Sequence, residues 1–159
     1  MTTRSVVLRP VSPGDDAFLR RVYRSTREDE LALTGWDEGQ KDAFVSMQFN
    51  AQHRYYAQQY ADASFDVILF DGEPAGRLYV ARWPEEIRIV DIALLPEYRH
   101  RGIGSALLQA ILAEGTQGGD RVTIHVERFN PALRLYDRLG FVPVAERGVY
   151  LLLEWRPPR

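Results

Sequence analysis

The feature that most constrains this chain is the run Asp91-Ile-Ala-Leu-Leu-Pro-Glu-Tyr-Arg-His-Arg-Gly-Ile-Gly104, followed at once by Ser105-Ala-Leu-Leu-Gln-Ala-Ile-Leu-Ala113. An apolar strand stops at Pro96, a short basic turn carries two glycines, and a strongly helical segment begins without a linker. This order builds an anion site. Glycine lets backbone N–H groups approach a ligand with no Cβ in the way, and the first helical turn offers unpaired donors at its positive dipole end. Alanine would make a better helix at both glycine positions, so a merely solubilising turn leaves the glycines unexplained. The sharper expectation is a phosphate-bearing ligand.

With 159 residues the chain has room for one domain and its core, and none for a second cofactor domain. A hydrophobic content of 45% beside 26% charged residues sets it among ordinary globular proteins rather than disordered ones. The net charge of −2 gives no basic excess for extended contact with nucleic acid or an acidic membrane. Without cysteine, disulfides, thiolate metal sites and cysteine nucleophiles are excluded. The start, Met-Thr-Thr-Arg-Ser-Val-Val-Leu-Arg-Pro, has no long apolar run of the kind a secretory signal needs, and a cytoplasmic protein is the expectation.

Taken in order, Ser5 to Arg9 reads as a strand stopped by Pro10, and Ala17 to Arg27 as a helix capped by Asp15 or Asp16. A short helix or turn follows at Asp29 to Leu33, then a helix from Asp37 to about Tyr60 with Phe44, Met47, Gln48, Ala51 and Tyr55 along one side. Two readings of that helix stay open. Phe44, Met47, Ala51 and Tyr55 pack on a sheet, or Trp36, Gln48 and one tyrosine roof a substrate cleft. Phe65 to Phe70 and Glu73 to Ala81 form a hairpin across Asp71-Gly72, and Ile87 to Leu94 is the next strand. After Pro96 the pattern changes to a crossover: helix Ile103 to Leu112, a break over Gly115 to Gly119, and strand Arg121 to Val126 parallel to its predecessor. Asn130 caps a helix with Pro131 at its first position and Gly140 at its end. Phe141 to Ala145 and Val149 to Trp155 close the chain as a hairpin around Arg147-Gly148.

The segment Arg99-His-Arg-Gly102-Ile-Gly104 resembles the Arg/Gln-x-x-Gly-x-Gly/Ala motif of the GCN5-related N-acetyltransferase (GNAT) superfamily. Leu94-Leu95-Pro96-Glu97-Tyr98 before it, and Asn130-Pro131-Ala132 through Tyr136 and Leu139-Gly140-Phe141 after it, stand where that family would place them. The three blocks cover residues 66–155, and residues 11–60 look like the family's variable substrate-side helices. The resemblance implies one α/β domain over residues 1–159, the acyl-CoA N-acyltransferase fold: a mixed, mainly antiparallel central sheet with helices on both faces.

It also implies roles for particular residues. The strand Ile87 to Leu94 should diverge from Arg121 to Val126, with the pantetheine arm of acetyl-CoA pairing along Ile92 and Leu94. The diphosphate should rest in the turn Arg99, His100, Arg101, Gly102, Ile103, Gly104 and Ser105, chiefly on backbone N–H groups from Arg101 onward, with Arg99 near the entrance. Leu94 N–H would face the thioester carbonyl, a contribution of about 3 kcal/mol by analogy with other oxyanion donors. Tyr136 matches the tyrosine that protonates the departing thiolate, although it could also share an apolar packing face with Leu133, Leu135 and Leu139. Asn130 is a helix cap that family members also use near the cofactor.

For the general base, Asp91 ranks ahead of Glu127 and His125, with the alternatives that Asp91 pairs with a cation such as Arg77 or Arg88, or that water serves instead. His53 and His100 read as surface side chains, and no metal-ligand spacing stands out. The expected reaction is direct attack of a primary amine, from a small molecule or peptide, on acetyl-CoA. A non-catalytic acyl-CoA sensor and a transferase for longer acyl donors are the alternatives. Glu28, Asp29, Glu30, Asp37 and Glu38 form either a solvated acidic face or an attraction for a cationic acceptor, and a homodimer through the C-terminal strands fits the fold.

Overall fold

The computed structural model describes residues 5–159; residues 1–4, the first part of the start read for a secretory signal, lie outside the described residues. Seven strands, β1 (Val6–Pro10), β2 (Ser64–Phe70), β3 (Glu73–Trp83), β4 (Glu86–Leu94), β5 (Arg121–Glu127), β6 (Val142–Arg147) and β7 (Tyr150–Trp155), form one sheet. Its order is β1-β2-β3-β4-β5-β7-β6. Every neighbouring pair is antiparallel except β4 and β5. That parallel pair needs a crossover, which is the helix α4 (Ile103–Gly118). The remaining helices are α1 (Asp16–Ser25), α2 (Glu28–Ala32), α3 (Glu38–Gln59) and α5 (Leu133–Arg138). The expected single α/β domain with a mixed sheet is the architecture observed. No helix among the described residues is long and apolar enough to cross a membrane.

Strand side chains alternate between faces, and the two faces differ in chemistry. Toward α4 and α5 the sheet presents Leu78, Val80, Ile87, Ile89, Val122, Ile124 and Val126, which pack with Ile103, Leu108 and Phe141 into the main core. On the other face α1, α2 and α3 enclose a smaller cluster of Leu19, Tyr23, Leu31, Val45 and Phe49. Between that cluster and the sheet lie charged groups.

The structure corrects several local expectations. Helix α3 does not face the sheet through Met47, Ala51 and Tyr55: Met47 is 60% and Tyr55 53% exposed, and Ala51 is also exposed. Its inward stripe is one residue onward, through Val45, Phe49, Gln52, Tyr56 and Tyr60, because the sheet below carries charges that need hydroxyl and amide partners. Asp15 does not cap α1 with its side chain; it accepts from Ser12 N–H at 2.8 Å and from the Arg9 guanidinium at 2.9 Å across a short 3-10 turn at Pro13–Asp15. Helix α4 does not break at Gly115. A Cβ there would lie 2.9 Å from the Asp120 carbonyl and 3.0 Å from the Trp155 ring, so this glycine marks a close approach rather than a helix end. The stop comes at Gly119, with φ +70°. Helix α5 begins at Leu133, after a turn over Asn130–Ala132.

Candidate active site

The parallel pairing of β4 with β5 runs only from Glu86↔Arg121 to Ile89↔Ile124. Beyond it β4 continues against β3 as far as Leu94↔Gly76, and β5 against β7 as far as Glu127↔Tyr150. A bulge opposite Tyr79 and Val80 leaves Val90 without a register partner on β3, and bulges bend the strand that carries them. The sheet therefore opens between β4 and β5 from Val90 onward.

Backbone direction in this opening follows from one hydrogen bond. Leu95 N–H donates to the Ala75 carbonyl of β3 at 2.9 Å. Successive peptide groups alternate, so Leu94 N–H points away from β3, into the opening. The Leu94 carbonyl points the same way and accepts from Arg99 Nε at 3.0 Å. Arg99 also lies 3.4 Å from Ser25 at the end of α1, so its guanidinium bridges β4 to α1.

At the head of the opening stands the first turn of α4. His100 has φ +61° and Gly102 φ +79°, and the first helical rung is Ala106 N–H to the Gly102 carbonyl at 3.0 Å. The N–H groups of Ile103, Gly104 and Ser105 precede that rung and have no helical acceptor. A Cβ on Gly104 would meet nothing nearer than Leu94 Cδ1 at 4.0 Å. Nothing in the protein's own packing requires glycine there, and the space beside Leu94 fits the close approach of a phosphate-bearing ligand. His100, like His53, is exposed, and Arg101 sits over the Tyr98 ring at 5.7 Å.

On the β5 side, α5 supplies Tyr136, which is 4% exposed and T-shaped against Phe141 at 5.6 Å. Leu133, Leu135 and Leu139 pack against the same core. Its ring is a packing element, yet no hydrogen bond reaches its hydroxyl among the described residues. Burial, with a smaller contribution from the charge of Asp91, pushes that hydroxyl up to about 12. Asn130 accepts from Ala132 N–H at 2.8 Å and holds the turn that leads into α5.

Asp91 faces α3. Its Oδ2 accepts from Arg77 at 2.7 Å and from the Tyr56 hydroxyl at 2.8 Å, so the cation partner is Arg77 rather than Arg88. Arg77 is 3% exposed, reaches Gln52 at 2.8 Å, lies 5.2 Å from the Tyr79 ring, leaves its buried Nε unpartnered, and is among the residues lining a cavity of about 200 Å³. Burial, then Asp91, raises the Tyr56 hydroxyl far above the usual phenol range. Sequence reasoning missed Gln52 and Tyr56 as partners of this charge. The available signal was Arg77 itself, standing between Gly76 and Leu78 in a strand otherwise rich in apolar residues. Glu127 pairs with Arg27 at 3.4 Å, and His125 Nδ1 lies 3.4 Å from Arg88. In the acidic segment, Glu28 and Glu38 hold Arg24, Glu30 holds Arg27, and Asp37 caps α3 through Gln40 N–H. Trp36 rests on Phe44 at 5.2 Å, and Gln48 accepts from Tyr23 at 3.4 Å.

Comparison with known proteins gives this geometry a family. The mycothiol acetyltransferase of Salinispora tropica is 30% identical over 149 residues, 83% of this chain and 47% of that protein. An N-alpha-acetyltransferase of Sulfurisphaera tokodaii is 34% identical over 98 residues, 52% of this chain and 59% of that one. The chain thus spans about half the length of these curated relatives. Among solved structures, the PaiA N-acetyltransferase of Thermoplasma acidophilum in complex with coenzyme A shares the fold, with a TM-score of 0.71, 20% identity, and coverage of 96% of this chain and 99% of that one. The sequence model of the acetyltransferase (GNAT) family matches residues 22–141, from within α1 through the opened strands and the glycine turn to the residue before β6. By that match the chain belongs to the acetyltransferase (GNAT) family.

Proposed function

We propose that the protein transfers an acetyl group from acetyl-CoA to a primary amine, with both substrates bound together and the amine attacking directly. Acetyl-CoA supplies the acyl group as an activated thioester. The N–H groups of Ile103, Gly104 and Ser105, at the positive end of α4, hold the diphosphate, and the free edge of β4 at Ile92 and Leu94 pairs with the amide-bearing arm. Arg99 binds the Leu94 carbonyl and so holds the peptide group next to the one that carries Leu94 N–H. Leu94 N–H then stabilises the oxygen on which negative charge grows.

Tyr136, like any phenol, carries its proton at neutral pH, and burial extends that range upward, so it can protonate the departing sulfur. Asp91 is anchored through Oδ2, while Oδ1 has no protein partner among the described residues and accepts the ammonium proton directly or through water. What supports this reading is the Leu94 N–H turned away from its ladder near the first turn of α4, with Tyr136, whose hydroxyl has no protein partner among the described residues, packed in the same cluster as Ile92 and Leu94.

Product-resolved mass spectrometry with acetyl-CoA and a library of amines and peptides tests it, with Tyr136→Phe as control. The expected result is an acetylated product with enzyme-dependent release of coenzyme A. Tight acetyl-CoA binding without any product would favour a binding module, and absence of binding would contradict the proposal.

A further inference from the structure

The chemistry above makes no use of a cavity of about 290 Å³ on the α3 face of the sheet. Its walls are Tyr55 and Tyr60 from the end of α3, Arg88 from β4, His125 from β5, and Arg147 and Tyr150 from the last hairpin. Two guanidiniums, an imidazole and three phenols converge here, and no carboxylate is among the lining residues. Arg88 is neutralised from one side by Glu86 at 3.1 Å and fixed by Thr123 at 2.7 Å and Tyr60 at 3.3 Å. Arg147 has no carboxylate partner among the described residues. Burial and then the charges of Arg88 and Arg147 lower the proton affinity of His125, in keeping with an excess of positive charge. Such a cavity repels an ammonium group and offers an anion several donors at once.

Its position relative to the reaction centre fixes the length of what it binds. Ile89 and Ile124 are the last level pair of β4 and β5, and β7 and β6 bring Tyr150 and Arg147 level with Glu127, three residues further along β5. The backbone of Arg147 therefore lies three strands to the side of β4, at least about 14 Å away, and the opening between β4 and β5 adds to that gap. Asp91 and the cavity share one face of the sheet. An α-amino acid, whose ammonium and carboxylate flank a single carbon, cannot engage both places.

We propose that this cavity is the anion subsite for the acceptor, and that the acceptor is a primary amine with a carboxylate or phosphate at the far end of an extended chain. This rests on the acetyl-transfer reading and narrows it, setting simple polyamines aside.

The test compares 6-aminohexanoate, 6-aminohexyl phosphate, hexylamine and 1,6-diaminohexane as acceptors. The anionic pair should exceed hexylamine by about tenfold or more in kcat/KM, with the diamine lowest. The ratio of carboxylate to phosphate substrate then identifies the anion. Arg147→Gln should bring the anionic preference toward unity through KM, and Arg147→Lys should keep more of it. Equal use of all four amines, preference for the diamine, or a ratio unmoved by Arg147→Gln would overturn the subsite. If none of the four is acetylated, the His125 ring protons decide by NMR titration with 6-acetamidohexanoate. A rise in the His125 pKa that Arg147→Gln abolishes would uphold the subsite and count against acetyl transfer, whereas no change would overturn the subsite.

Discussion

The two faces of the central sheet solve different problems with the same strands. Toward α4 and α5, Ile87, Ile89, Val122 and Ile124 are almost fully buried among other aliphatic and aromatic side chains. Toward α3, the residues alternating with them are Glu86, Arg88, Asp91 and Thr123, joined to Tyr56 and Tyr60 and to one another by hydrogen bonds and ion pairs. Burial of apolar area stabilises the first face without regard to direction, whereas each charge on the second has to find a partner of fixed geometry. The contrast separates a face held by buried area from a face held by pairing.

The faces should respond differently when broken. Arg77→Ala leaves Asp91 without its cation and is expected to cost about 3–5 kcal/mol in urea unfolding, while the double change Arg77→Met with Asp91→Leu should cost much less. A double variant as damaged as the single one would show that the polar layer is not organised around this pair. On the apolar face, Leu108→Ala should cost about 2–5 kcal/mol, set by the cavity it leaves, with no partner substitution able to recover it. At the junction of the faces, Gly104→Ala should leave folding unchanged or improve it by up to about 1 kcal/mol, since alanine favours a helix and the site is open. Gly104→Leu should weaken acetyl-CoA binding in calorimetry, whereas Gly104→Ala, which introduces a residue the motif accepts at this position, should keep it. Loss of stability in the alanine variant would mean that the glycine serves packing rather than a ligand.

The same contrast governs what the sequence disclosed. The hairpin at Asp71-Gly72, both with positive φ, and the start of α4 at Gly102 were legible because local backbone needs write themselves as glycine and turn residues. The apolar face was legible through strand alternation. Helix α3 was misread because its inward stripe is polar: Gln52, Tyr56 and Tyr60 look like solvent residues until Arg77, Asp91 and Arg88 are placed beneath them. Choosing the side richest in apolar letters placed Tyr55 inward and left Tyr56 to solvent, the reverse of the structure. Arg147 and Arg88 stand 59 positions apart in sequence and meet only through three strand pairings, so no spacing rule brings them together. Tyr136 was visible as a packing residue, and its ring is one, buried against Phe141; the acid role of its hydroxyl is the one proposed above.

The most direct measurement is kcat against pH for the wild type and Tyr136→Phe, together with acetyl-CoA affinity and Tm for both. An unperturbed tyrosine loses its proton near pH 10. Here burial raises Tyr136 to about 12, so an acid role for it predicts that kcat does not fall as pH passes 10. Tyr136→Phe should lower kcat about a hundredfold, with acetyl-CoA affinity and Tm unchanged. A variant that keeps wild-type kcat, or that loses activity only in proportion to a fallen Tm, would contradict the assignment of Tyr136 and with it the reading of the opening between β4 and β5 as a catalytic site.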